Sequence, residues 1–307
     1  MRKHTKYKPM TVAQFEAQFS TEEACKSYLQ ARRWPNGVKC PRCGNENVNP
    51  VSSKPFHWEC SQCGAGHSYR FSVLVGTVFE NTNIKLPDWF KVIYLMLSSK
   101  KGISALQIQR MMGFGSYRTA WYMCHRIRAA LVDPAFRKLV GFVEVDETYI
   151  GGKAKNRHTG KRGGPGGTGS AGGTGEHGKA IVVGAIQRKG RVVAKVIENT
   201  SADTLTRFVR EAVSTKVSLI STDQHGGYRG LWREFPHASV DHWRGEYVAG
   251  AVHTQSIDSF WSLIKRGVMG TFHKVSKKYL PLYVAEFEFR YNNRQNPDIF
   301  GRAVAGC

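Results

Sequence analysis

Four cysteines constrain this chain more tightly than any other residues. They fall as CPRC and CSQC, giving Cys40, Cys43, Cys60 and Cys63 with 16 residues between the two pairs. Two CxxC knuckles at that spacing fold as a ribbon, each knuckle topping a hairpin and the four thiolates closing a tetrahedral shell around Zn²⁺. A shell of four protein ligands leaves no open position, so a zinc held this way is structural. A disulfide framework is the competing use of four cysteines and requires an oxidising compartment. The start MRKHTKYKPM is charged and lacks the apolar core of an export signal. Gly44 and Gly64 follow the second cysteine of each knuckle, where left-handed backbone eases the turn. Lys39, Arg42, Lys54 and Arg70 are the local cations, and His57 and His67 read as solvent-facing polar residues. Whether the ribbon touches DNA, touches protein or only folds stays open at this level.

Charge narrows the partner. The 307 residues carry a formal net charge of +22, and Lys and Arg in that excess match the phosphates of nucleic acid. No apolar run approaches the roughly 18–20 residues of a spanning helix, so a membrane is not expected. The composition suits a soluble, cytoplasmic, nucleoid-associated protein. The length suits several modules, since domains usually run about 50–250 residues. We divide the chain into an N-terminal helical segment (1–35), the zinc ribbon (36–80), a helical module (81–138) and an α/β domain (139–307).

The helical module reads as helix-turn-helix. Trp89, Phe90, Ile93, Leu95, Met96 and Leu97 predict a buried helix. Ser104 caps a second helix through Met112, Gly113-Phe114-Gly115 breaks it, and Ser116 caps a third from Tyr117 to Leu131. Two helices joined by a tight glycine turn match the DNA-binding geometry, with Arg118, Arg126 and Arg128 on the second. Tyr117, Arg118 and Thr119 stand at its N-terminus, where base edges are read. A plain helical linker is the alternative.

From Gly141 the pattern turns to strands. GFVEVDETYI alternates, KAIVVGAIQRKGRVVAKVIE predicts a hairpin turning at Lys189-Gly190, and VSLISTD is a short strand ending in an acid. Between the last two, SADTLTRFVREAV is amphipathic and capped by Ser201. The order β-β-β-α-β followed by helices is that of a ribonuclease-H-like fold. There the acids on the first and fourth strands lie side by side, and Asp146 and Asp223 occupy those two places. Glu147, beside Asp146, reads as a salt-bridging residue. Residues 153–178, rich in glycine and including Lys153, Lys155, Arg157, Lys161 and Arg162, predict a basic loop.

A third acid, Asp258, follows Asp223 after 34 residues and opens a helix that Ser256 caps. Ile257, Phe260, Trp261, Ile264 and Val268 form its apolar face, while Asp258, Ser262 and Lys265 share another side. Carboxylate oxygens are hard ligands suited to Mg²⁺ or Mn²⁺. An acid on a metal and the cations Lys265 and Arg266 on a DNA phosphate are therefore compatible roles on one helix. His225 and His253 flank the acids as secondary candidates for phosphate contact. Tyr283, Phe287 and Tyr291 share a stripe of a closing helix that reads as core, with Arg290 and Arg294 as further cations.

CPRC…CSQC, GTVFENTNIKLPDWF, VDETYIGGK, DQHGGYRGL, HTQSIDSFWSLIKRGVMGTFHKVS and FEFRYNNR occur in that order. Together they resemble the DDE transposases of bacterial insertion sequences, in particular the zinc-ribbon-bearing insertion sequence 1595 family. The resemblance covers nearly the whole chain. It implies a homo-oligomeric enzyme that cuts and joins DNA at the ends of its own element, with Asp146, Asp223 and Asp258 as catalytic acids on Mg²⁺ or Mn²⁺. Lys265 matches the basic residue seven positions after the third acid. The chain departs from the family where members usually carry Asn and then Glu, here Gln255 and Asp258. A decayed or repurposed DNA-binding copy and a ribonuclease-H-like nuclease or resolvase are the alternatives.

Overall fold

The computed structural model describes residues 10–63, 68–132, 137–151, 179–240 and 253–307. The glycine-rich basic stretch 153–178, and with it the cations expected there, lies outside the described residues, as do Gly64 and His67. The chain divides into two compact units, Met1–Val132 with Asn293–Cys307, and Asp133–Asn292.

In the first unit, α1 (Val12–Gln18) and α2 (Glu22–Arg33) each start on a threonine. Thr11 forms a reciprocal capping box with Gln14, and Thr21 accepts from the Ala24 amide. The first turn of α2 carries Glu22 and Glu23 and its last turn Arg32 and Arg33, charges placed to oppose the helix dipole. The expected α/β domain ran to the C-terminus, but the chain rejoins the first unit at Asn293. The reason is apolar: Phe300 of α9 (Ile299–Gly306) sits with ring centroids 5.1 Å from Phe19, 5.6 Å from Phe90 and 5.7 Å from Phe15.

The ribbon is a three-stranded antiparallel sheet of β1 (Asn49–Pro50), β2 (His57–Cys60) and β3 (Tyr69–Ser72). Gly44 takes φ +75°, the left-handed turn expected after Cys43. The Sγ atoms of Cys40 and Cys63 are 3.7 Å apart, as are those of Cys43 and Cys60, and all four lie within 4.8 Å of one another. Thiolates about 2.3 Å from a central ion stand about 3.8 Å apart in a tetrahedron. The shell therefore has the size zinc requires.

Three helices follow. α3 (Leu86–Ser98) buries Trp89, Phe90, Ile93 and Met96. α4 (Ala105–Met112) begins on Ser104 and stops at Gly113, whose φ of 66° and ψ of 25° are left-handed. α5 (Tyr117–Ala130) begins on Ser116, which accepts from the Arg118 amide. Arg118 is exposed, whereas the other two arginines expected to face DNA turn inward. Arg128 is buried. Arg126 is half-buried, donates to the Glu80 carbonyl at 3.3 Å and lies 5.9 Å over the Trp89 ring. Helical periodicity puts positions 126 and 128 next to Met123, Cys124 and Ile127, which fill the core.

The second unit is built on five strands in the order β6-β5-β4-β7-β8. These are β4 (Leu139–Ile150), β5 (Ala180–Gln187), β6 (Val192–Ile197), β7 (Val213–Asp223) and β8 (His237–Val240). β5 and β6 form the expected hairpin, with Lys189 left-handed at φ 58°. β7 is parallel to β4 because α6 (Ala202–Ala212) carries the chain across the sheet. Leu205, Phe208 and Val209 of α6 cover Val143, Val145 and Ile220 on one face. On the other face, α7 (Gln255–Gly267) and α8 (Leu280–Asn292) lay Ile257, Phe260, Ile264, Val284 and Phe287 over Val182 and Ile186. Each such side chain contributes about 1.5–3 kcal/mol, so packing rather than local propensity seats these helices. Arg290, read as an available cation, is buried and bonded to Glu286 at 3.1 Å.

Replacing Cys60, the fully buried ligand, tests the shell. Cys60→Ser should lose the zinc and with it the ribbon fold, since structural zinc contributes about 10–16 kcal/mol in small domains. Zinc released per chain to a chromophoric chelator, read with circular dichroism, measures this; full zinc retention would refute the assignment.

Candidate active site

β4 and β7 run parallel, and their last registered pair is Glu144 with Ser221. Two residues further along each strand stand Asp146 and Asp223. Beyond that pair β4 continues to bond only to β5, with Asp146 opposite Gly184, and β7 ends at Asp223. A gap opens between the strands there, and three carboxylates fill it. Oxygens of Asp146, Glu147 and Asp223 lie within 4.8 Å of one another.

Each acid is held. The Trp261 indole N–H of α7 donates to Asp146 Oδ2 at 2.8 Å. The Tyr228 hydroxyl donates to Glu147 Oε2 at 2.6 Å, and His225 Nδ1 lies 3.9 Å from Glu147 Oε1. The His225 amide donates to Asp223 Oδ1 at 3.1 Å. Burial pushes Asp146 up to about 7, and the neighbouring charges of Glu147, Asp223 and Asp258 add to this while the Trp261 bond opposes it. Glu147 is also raised, chiefly by burial, with the Tyr228 bond opposing. Tyr228 is raised well above its usual value by burial and by Glu147, so its proton stays on the hydroxyl and the bond to Glu147 persists.

Asp258 occupies the exposed first turn of α7, with the Thr254 hydroxyl 3.4 Å from its Oδ2. It lines a cavity of about 460 Å³ together with Asp146, Glu147, Trp261, Lys265 and Arg266. The tight trio does not include it. Of the three expected acids the structure brings Asp146 and Asp223 into the trio, puts Asp258 on the wall of the same cavity, and gives the third place to Glu147. Lys265 and Arg266 are exposed on that wall. The donor set of hard, crowded, partly buried carboxylate oxygens fits a divalent cation such as Mg²⁺ or Mn²⁺.

The family model for an ISXO2-like transposase domain matches residues 138–292, and that for a transposase zinc-ribbon domain matches residues 20–66. The chain belongs to the insertion sequence 1595 family of transposases. It is similar to an uncharacterized protein in transposable element ISH50 of Halobacterium salinarum, 29% identical over 277 residues that cover 89% of this chain and 91% of that one. It also resembles an uncharacterized transposase-like protein of Haemophilus influenzae, 30% identical over 108 residues, 35% of this chain and 85% of that protein. No solved structure matches the chain. Among the described residues, no helix is long and apolar enough to cross a membrane.

Three residues around this transposase's acids were not expected there from sequence: Glu147, read as a salt-bridging residue, and Gly184 and Tyr228. Gly184 had a readable place, since it stands in the strand pairing with the first acid. A Cβ there would fall 2.6 Å and 2.8 Å from two Trp261 ring carbons and 3.1 Å from Ile257 Cδ1. Only glycine lets α7 settle close enough for the indole to reach Asp146. Gly184→Ala should therefore destabilise the protein by about 1–3 kcal/mol through overpacking. Denaturant melts of both proteins measure the difference; equal stability would mean that Trp261 and α7 yield freely.

Proposed function

We propose that this transposase cuts DNA at the ends of its own element and joins them to a target by two-metal phosphoryl transfer, with Asp146, Asp223 and Asp258 as its catalytic acids. The observation that carries this reading is the convergence of Asp146 and Asp223, two residues beyond a parallel strand pairing, beside a cavity that Asp146 shares with Asp258, Lys265 and Arg266. The strand order, with three antiparallel strands followed by two parallel ones, supports a ribonuclease-H-like fold for this unit.

Divalent ions bound by these carboxylates supply Lewis-acid stabilisation of the charge on the attacking and leaving oxygens. The residues of the chain do the rest. Trp261 fixes Asp146 and Tyr228 fixes Glu147, so that the oxygens face the gap instead of rotating into solvent. Lys265 and Arg266 present cations to a phosphate in the cavity, and partial burial of the acids strengthens each of these interactions. Arg118, exposed at the start of α5, is a cation that would contact duplex DNA from the helical module. Bringing two element ends together calls for at least two copies of the chain, acting on the chromosome in the cytoplasm.

A DNA-binding copy without catalysis is the second reading, favoured by the position of Asp258 outside the trio. Both are decided by cleavage of element-end DNA in Mn²⁺. Asp146→Ala should lower cleavage by more than about 10³-fold, beyond the 10–100-fold typical of outer-shell partners. Undiminished cleavage by that variant would sink the enzymatic reading. A wild-type chain that is silent and becomes active as Asp258→Glu would establish the second.

A further inference from the structure

Glu144 precedes Asp146 by two residues, so the two side chains leave the same face of β4. Its carboxylate is fully buried, at 0% exposure, and belongs to none of the groups assigned above. Oε2 accepts the backbone N–H of Ser256 at 2.7 Å and of Ile257 at 3.1 Å. Oε1 accepts the Ser256 hydroxyl at 3.0 Å and Arg188 Nε at 2.8 Å, and His253 Nδ1 lies 3.2 Å away without hydrogen-bond geometry. Arg188 also donates to the His253 carbonyl at 3.2 Å, closing the network around the start of α7.

A helix normally meets its first free amides with its own capping residue. α7 does not: the side chain of Thr254, at its N-cap, caps no first-turn amide, and its hydroxyl donates to the Asp258 carboxylate instead. The sheet supplies the cap instead, and a carboxylate at that end is favoured by the helix dipole. The second polar tether between α7 and β4 is the bond from Trp261 to Asp146. Ser256 and Trp261 are about 7.5 Å apart along a helix at 1.5 Å per residue. Glu144 and Asp146 are about 6.6 Å apart along a strand at 3.3 Å per residue. The spacings nearly match, so the helix is pinned to the strand at two points, and Asp258 lies between them. Apolar packing seats α7 on the sheet, and two directional tethers fix its rotation and its register along β4.

We propose that Glu144 is a positioning residue of the active site: it caps α7 from the sheet and thereby holds Asp258 and Lys265 facing Asp146 across the cavity. The proposal rests on the reading of these acids as a metal site. It makes Glu144 part of the machinery without contact to metal or DNA.

Mn²⁺ binding to the full-length, zinc-loaded protein, followed by electron paramagnetic resonance, tests it apart from activity. Glu144→Gln keeps the size of the side chain but gives up the charge and an acceptor. It should bind Mn²⁺ about tenfold more weakly, the scale of an outer-shell loss, with zinc content unchanged. Because the effect passes through α7, Glu144→Gln should cost less than half as much in an Asp258→Ala background, the non-additivity expected of coupled residues. Wild-type affinity in Glu144→Gln, or its full effect persisting without Asp258, would overturn the proposal. If Glu144→Gln does not fold, Ser256→Ala removes one bond and should weaken Mn²⁺ binding about threefold, the scale of a single hydrogen bond at its low end; unchanged affinity there counts against it equally. Asp146→Ala separates the two levels, since undiminished Mn²⁺ binding in that variant defeats the metal-site reading itself.

Discussion

Everything in the second unit hangs on β4. It is bonded along both edges, antiparallel to β5 and parallel to β7, and the alternation of a strand gives its two faces different work. Val143 and Val145 point into the core under α6. Glu144 and Asp146 point to the opposite side, where α7 lies. One strand thus anchors the sheet, caps a helix and carries the first acid of the site. A one-residue slip in its register would bury Glu147 against α7 and turn Glu144 and Asp146 toward the valine core. The apolar covering on both faces makes that slip costly, and the placement of the acids inherits the same protection.

The trio is an electrostatic liability that the fold tolerates. Like charges no more than 4.8 Å apart repel by roughly 3.5 kcal/mol or more per pair at an effective dielectric constant of 20. Trp261 gives Asp146 a neutral donor, and Tyr228 gives one to Glu147. Neutral donors orient a carboxylate but leave its charge in place, so the Trp261 bond only partly offsets the burial, and then the neighbouring charges, that push Asp146 up to about 7. The chain has cations to spare at +22, and those on the cavity wall, Lys265 and Arg266, sit where a phosphate would meet them. Such an arrangement is stable when positive charge arrives with the ligand, and strained when it does not.

Local signals carried much of this architecture. The CxxC spacing, the serines before α4, α5 and α6, the glycine turn at Gly113 and the acids on two strands, Asp146 within β4 and Asp223 at the end of β7, are each visible within a few residues of sequence. What stayed hidden depends on contacts across the fold. Strand periodicity sends Glu147 to the face away from Asp146, and it rejoins Asp146 only because β7 ends at Asp223 and opens a gap beside it. Arg126 and Arg128 look like DNA contacts by residue type, but the helical face they share with Met123 and Ile127 draws them inward. Glu144 was missed for a related reason. Its partners Ser256 and Ile257 lie 112 and 113 residues away in sequence, and its position two before Asp146 was the one available clue. Ser256, read as the cap of its own helix, instead takes the cap that Glu144 provides.

These contacts bear on how the site accommodates aspartate at position 258, where the family usually carries glutamate. A helix displaced toward the trio could restore the reach of a side chain one methylene shorter. Here that displacement would break the Glu144 bonds to Ser256 and Ile257, pull Trp261 from Asp146, and drive Trp261 and Ile257 against the backbone at Gly184, which they already approach closely. Charged hydrogen bonds contribute about 1.5–3 kcal/mol each, so even a shift of about an ångström meets a steep opposing energy. Glu147 faces no such barrier. Its carboxylate already stands within 4.8 Å of those of Asp146 and Asp223, fixed there by Tyr228. α7 thus keeps Asp258 and the cations on the cavity wall, while Glu147, held by Tyr228, adds a carboxylate to the gap from the strand.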